Sequence, residues 1–240
     1  MTTDARIGSR RADSLRRWTC GLALVAFPAL LVVQAVVMPE DGDGGAMYDA
    51  ATNDRGALLA SAALIIVSGV LMAPAAAGIL SMARGRGAAL ANVAAVLAVL
   101  GGTGHIALGY YYVMASALPG GDRAEMTAYV DRLGASAPLG IFVFPLLLCF
   151  ALAVVAMPWA AYRAGTVGRW APIVAGVGVL LHEGLPPEVP NQDLIGLGIL
   201  VTLTVVHGYL GLTLLRGSRD VTSASPAVVP VSASLPVAPS

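Results

Sequence analysis

Residues 57–82 read ALLASAALIIVSGVLMAPAAAGILSM, and this stretch decides the fold. It carries no charged side chain over a length that, as a helix rising ~1.5 Å per residue, extends about 39 Å. A bilayer core about 30 Å thick is crossed by roughly 20 apolar residues. Backbone in lipid must satisfy its own hydrogen bonds, so such a run predicts a spanning helix. The same reading extends outward to runs near 18–38, 88–117, 138–160, 170–184 and 194–215, each bounded by charge or by Gly and Pro. The expected fold is an all-α polytopic membrane protein with six transmembrane helices.

Composition agrees. The 240-residue chain is 57% hydrophobic and 12% charged, with a mean hydropathy of +0.78. A soluble domain carries about 25% charged residues, and half of that cannot coat a globule in water. A soluble enzyme, a secreted disulfide scaffold and a disordered chain are disfavoured together.

The net charge is zero, with 14 basic and 14 acidic residues, and every basic residue is Arg. Together with the abundant Ala, Gly, Val and Pro, this usage points to a GC-rich bacterial genome. Arg6, Arg10, Arg11, Arg16 and Arg17 precede the first span, Arg84 and Arg86 follow the second, Arg163 and Arg169 follow the fourth, and Arg216 and Arg219 follow the sixth. Only Arg55, Arg123 and Arg132 fall on the other side. The positive-inside rule then puts both termini in the cytoplasm of a bacterial plasma membrane. The acids mirror this, with Asp4, Asp13 and Asp220 inside and the rest outside. No basic domain is left for nucleic acid. Trp18, Trp159, Tyr162 and Trp170 fall at the expected cytoplasmic interface, and Tyr110, Tyr111 and Tyr112 approach the outer one.

Three regions follow: an Arg-rich cytoplasmic N-terminus (1–17), a six-helix transmembrane domain (18–215) and a disordered cytoplasmic tail (216–240) rich in Ser and Pro. Val33-Gln34-Ala35 imitates a secretory cleavage site. The apolar run continues past it to Met38, so the first span reads as uncleaved.

An internal echo suggests two three-helix halves. Phe27-Pro28-Ala29-Leu30-Leu31 in the first span matches Phe144-Pro145-Leu146-Leu147-Leu148 in the fourth. His105-Ile106-Ala107-Leu108-Gly109 in the third matches His207-Gly208-Tyr209-Leu210-Gly211 in the sixth. Three spans per half would invert the halves, an arrangement common in transporters, with Pro28 and Pro145 as matched kinks. Short matches in Leu-rich spans also arise by chance.

Ionisable groups at membrane depth are costly and are default suspects for function. The candidates are His105, His182, Glu183 and His207, with Gln34 and Tyr209 as weaker polar company. The fifth span is short and ends before Pro186-Pro187, which points to a vestibule holding His182 and Glu183. Tyr112 shares the face of His105 at i+7, and Gly101 and Gly109 flank it at four-residue spacing. A substrate-binding set of His105, Tyr112, His182, Glu183 and His207 is expected. The bland alternative makes this a packing stripe, with an interfacial His182-Glu183 pair. His207 is expected nearer the cytoplasm than His105, which makes a haem bridging the two awkward. No cofactor and no metal is expected. Cys20 and Cys149 should lie apart, without a disulfide. No Walker loop, HExxH or GxSxG motif occurs.

With its Arg-only loops, Gly104-His105 and Leu108-Gly109, the chain resembles small, functionally uncharacterised six-span membrane proteins of actinobacteria. That resemblance covers most of 18–215 loosely and implies no activity.

Three functions stay open. The first is binding or passage of a small neutral or lipophilic molecule between the halves. The second is a membrane-embedded isomerase or cyclase acting on a lipophilic or isoprenoid substrate, with Glu183 as general acid and His182 or His105 as base. The third is a non-catalytic partner or assembly subunit, with the small-residue stripes as docking faces and a homo-oligomer or a membrane partner as the associate.

Overall fold

The computed structural model describes residues 3–39, 43–83, 85–184 and 189–216. The tail expected to be disordered and the Pro186-Pro187 break lie outside the described residues. Within them the regular structure is helical, with no strand: α1 (Thr3–Val37), α2 (Gly44–Asn53), α3 (Arg55–Met82), α4 (Ala88–Ala115), α5 (Arg123–Gly134), α6 (Ala137–Phe142), α7 (Phe144–Arg163), α8 (Trp170–Gly184) and α9 (Gln192–Arg216).

Five helical stretches are long and apolar enough to cross a membrane: Ala12–Val37, Arg55–Met82, Gly85–Gly120, Ala137–Arg163 and Gln192–Arg216. Six spans are not confirmed: the fifth expected one, 170–184, is α8 and is not among them. Its 15 residues rise only about 22 Å, less than the roughly 30 Å bilayer core. Large aliphatic side chains in mid-helix point away from the protein, among them Val70, Val96, Val177 and Val205. An apolar surface of that extent suits lipid rather than water.

The long helices form a ring in sequence order: α1 packs on α3, α3 on α4, α4 on α7, α7 on α8, α8 on α9, and α9 back on α1. Small residues set the crossings, because lipid gives helices no hydrophobic reason to associate and close backbone approach must supply the contact. A Cβ on Gly69 would meet the Gly102 carbonyl oxygen at 2.6 Å, and one on Gly211 would meet the Gly21 carbonyl oxygen at 2.6 Å. Gly101 lies under the Phe150 backbone and Gly104 under Leu146. As residue numbers rise on one helix they fall on its neighbour at these crossings, so adjacent helices are antiparallel.

One end of the ring gathers Arg16 and Arg17 of α1, Met82 of α3, Thr166 of the α7–α8 turn and Leu214 of α9 around one shallow cavity. The N-terminal part of α1, the end of α3, the α7–α8 turn and the end of α9 therefore share one end. The opposite end is capped by two short helices outside the expected spans, α2 and α5. Asp43 and Asp122 cap their N-termini, with side chains accepting from Ala46 N and from Ala124 N and Glu125 N. The Gly44 N–H donates to Asp131 Oδ1 at 2.8 Å, and Arg123 Nη2 pairs with Asp49 Oδ2 at 2.8 Å. Beneath the cap Met47, Leu58, Tyr112, Leu118 and Val130 form a second apolar cluster, separate from the main core.

The two prolines of the echo play different roles. Pro28 lies inside α1, whereas Pro145 sits in the first turn of α7, after a break at Val143 that separates α6 from α7. Proline is tolerated in a first turn because its missing N–H has no partner to lose there. Pro145 starts a helix and does not kink one.

Candidate functional site

Between α1, α7, α8 and α9, near the capped end, lies a pocket of about 390 Å³. Its floor is buried and apolar, formed by Leu31, Ile65, Val154 and Leu203. Phe150 and His105 close one side. Gln34, His182 and Glu183 stand at the rim, with His182 and Glu183 exposed. A volume of about 300–1,000 Å³ with apolar walls and few polar groups is what a small-molecule site requires.

His105 is the polar group of the buried wall, 8% exposed. Its Nδ1 lies 3.3 Å from the Gly101 carbonyl oxygen. A carbonyl can only accept, so Nδ1 carries the proton and Nε2 of the neutral ring is an acceptor. The imidazole also lies against Phe150, with ring centroids 3.7 Å apart.

A second cavity of about 550 Å³ adjoins the first and shares Gln34, Ala35, His182 and Leu200 with it. It is lined further by Gln192 and Asp193 at the start of α9 and by Met38 and Pro39 beyond the end of α1. The second cavity is the more polar, outer chamber and the first the more apolar, inner one. The short α8 makes this possible: it ends at Gly184 and brings His182 and Glu183 to the height where the chambers meet.

Of the residues singled out in the sequence, His105, His182 and Glu183 line one cavity. Tyr112 does not join them; it is buried with Met47 and Leu58 under the cap. His207 is also elsewhere, fully buried in the bundle core. Its ring meets Phe27 edge-on at 5.0 Å, Phe27 meets Phe150 at 6.3 Å, and Phe150 lies on His105. The two imidazoles are therefore joined through two phenyl rings. Ser68 Oγ donates to the Phe27 carbonyl and neighbouring Gly69 faces the His105 Cβ, so the two histidines lie closer in level than helix rise alone predicts.

His207 Nδ1 lies 2.9 Å from the Leu203 carbonyl oxygen, and its Nε2 makes no hydrogen bond. The Val154 backbone flanks the ring without reaching hydrogen-bond geometry. Among the described residues no three His, Cys, Asp or Glu side chains converge as metal ligands, and Cys20 and Cys149 are unpaired on α1 and α7.

Sequence reasoning missed Phe150, Leu203 and Asp193. Phe150 is one of only four Phe in the chain, a usable signal, whereas the part taken by Leu203 depends on how α9 is turned. No protein-family model, curated protein or solved structure matches the chain.

Proposed function

We propose that the chain is a six-helix protein of the bacterial plasma membrane, with its Arg-rich end in the cytoplasm, that binds a small lipophilic molecule in the pocket beside His105. The observation that carries this reading is the joining of His105, His182 and Glu183 to apolar walls in one 390 Å³ cavity. Counting α8 as a sixth, short span supports an even number of crossings, with all the Arg-rich connections on one side.

Binding is favoured over passage because the pocket is blind. Beyond its floor the bundle is filled by Phe27, Met157, His207 and Leu210, all fully buried. Access from the lipid is favoured by the exposure of Phe144 and Leu148, two lining residues on α7. The ring order weighs against two inverted halves. Moving helices one, two and three onto four, five and six keeps the sense of rotation round a ring. A two-fold axis in the membrane plane reverses it.

The test is photolabelling of the protein in zwitterionic nanodiscs with a diazirine analogue of 1-octanol. Labels are expected on the Leu147–Val154 and Leu200–Leu203 segments, suppressed by excess 1-octanol and abolished in Ala151→Trp, which fills the cavity. Labelling that excess 1-octanol does not suppress, confined to outward positions such as Val96 and Val205, would refute the reading.

A further inference from the structure

We infer that the ligand is amphipathic with a cationic head, an aliphatic amine whose ammonium sits in the outer chamber and whose chain enters the inner one. The inference rests on the pocket reading above and adds the chemistry of the head. Two features lead to it, and a third bears on the body of the ligand.

The first is the adjacency of two unlike chambers. They share the lining residues Gln34, Ala35, His182 and Leu200, and this adjacency is what one molecule reaching into both would use. The inner chamber is walled by Val154, Phe150 and Leu203. Such walls reward an alkyl or aryl body at roughly 25 cal/mol per Å² removed from water.

The second is the sign of the charge. Glu183 lines the inner chamber at its rim and Asp193 lines the outer one. Among the described residues no Arg side chain lines either chamber to neutralise a carboxylate or a phosphate. An ammonium in the outer chamber finds Asp193 and the side-chain carbonyls of Gln34 and Gln192, with Glu183 in the adjoining inner chamber.

The third is His105. It is more than nine-tenths buried, lines the inner chamber and holds its Nδ1 proton on the Gly101 carbonyl, which leaves Nε2 to accept. An acceptor at the inner end suits a ligand bearing a hydroxyl or N–H donor on its body.

The test extends the photolabelling experiment. Octylamine, 1-octanol and octanoate compete with the diazirine octanol in zwitterionic nanodiscs at neutral pH, where octylamine is protonated. Octylamine should compete at least tenfold better than 1-octanol, and octanoate worst. In Glu183→Gln with Asp193→Asn the amine advantage, taken as the ratio of octylamine to 1-octanol competition in that same variant, should fall to within about twofold. Both positions are exposed, so folding is not at risk. Equal competition by all three, or an amine advantage that survives the double substitution, overturns the inference and leaves the pocket standing. Loss of competition by every probe overturns the pocket and this inference together.

Discussion

The imidazole of His105 and the ring of Phe150 lie with centroids 3.7 Å apart and planes 37° from parallel. Two features of α4 hold them there. Gly101, one turn before His105, accepts the Nδ1 proton, and its bare Cα lets the Phe150 backbone rest against it. Gly101, His105 and Phe150 thus form one unit across the α4–α7 crossing, and that unit is a wall of the pocket. Shape in this part of the molecule follows from an absent side chain.

Replacing Gly101 should therefore affect both stability and binding. A Cβ there would run into the Phe150 backbone, which cannot give way as a flexible side chain would. Overpacking of this kind costs about 1–3 kcal/mol. Gly101→Val should lower the apparent Tm in detergent and weaken photolabelling of α7. Gly198→Ala is the control: nothing lies within 4 Å of its added Cβ, and it should leave the Tm unchanged or slightly raised. Equal losses for the two would show that the close approach at Gly101 is not what sets the cost.

Two serines on α3 offer a matched pair. Both are fully buried. Ser68 Oγ donates to the Phe27 carbonyl at 2.9 Å, whereas Ser61 Oγ has no partner. A hydrogen bond between membrane helices is worth about 0.6 kcal/mol on average, and an unsatisfied buried hydroxyl gives nothing back for its desolvation. Ser68→Ala should destabilise by roughly that amount and Ser61→Ala should not. Reversible unfolding in mixed micelles distinguishes them; a greater loss at Ser61 would mean that its hydroxyl is bonded in the membrane.

The cap is fastened separately from the bundle. Arg123 pairs with Asp49 through both η and ε nitrogens and lies 5.8 Å from the Tyr48 ring centroid. Hydrogen bonding to Asp49 holds the guanidinium proton even more firmly than usual, so the pair persists at every pH where the carboxylate is ionised. Arg123→Gln should speed amide exchange in 44–53 and 123–134 and leave 57–82 unchanged. High salt should do the same to the parent protein, since exposed charges are screened. Exchange that rises in 57–82 as well would show the cap and bundle to be one cooperative unit.

The long helices were legible because a bilayer demands an uninterrupted apolar run, and 57–82 supplies one without a charge. α2 and α5 were not, because they are short and polar, although Asp43 and Asp122 stand where N-caps belong and Glu125 sits at the third helical position. His105, His182 and Glu183 were legible as a group from helix rise and the shortness of 170–184. Tyr112 lies apart from them because i+7 spacing fixes a face but also moves the residue about 10 Å along the axis, here to the cluster under the cap. Phe150 and Asp193 join the chambers through long-range packing, which periodicity within one helix does not encode.

His207 gives the last prediction. Its Nδ1 bond to the Leu203 carbonyl is made to an oxygen that the helix already supplies with a backbone N–H, and its Nε2 is buried without a partner. The imidazole therefore contributes volume, packed edge-on against Phe27, more than hydrogen bonding. Removing a buried unsatisfied atom while keeping the volume is neutral or stabilising, so His207→Leu should match the parent or exceed it by up to about 1 kcal/mol. His207→Ala opens a cavity beside Phe27 and should cost roughly 2–4 kcal/mol, as large-to-small core changes do. Unfolding of the two variants in the same micelles decides the matter. If Leu is as damaging as Ala, Nε2 has a partner in the membrane, and a bound water between it and the Val154 backbone becomes the explanation to pursue.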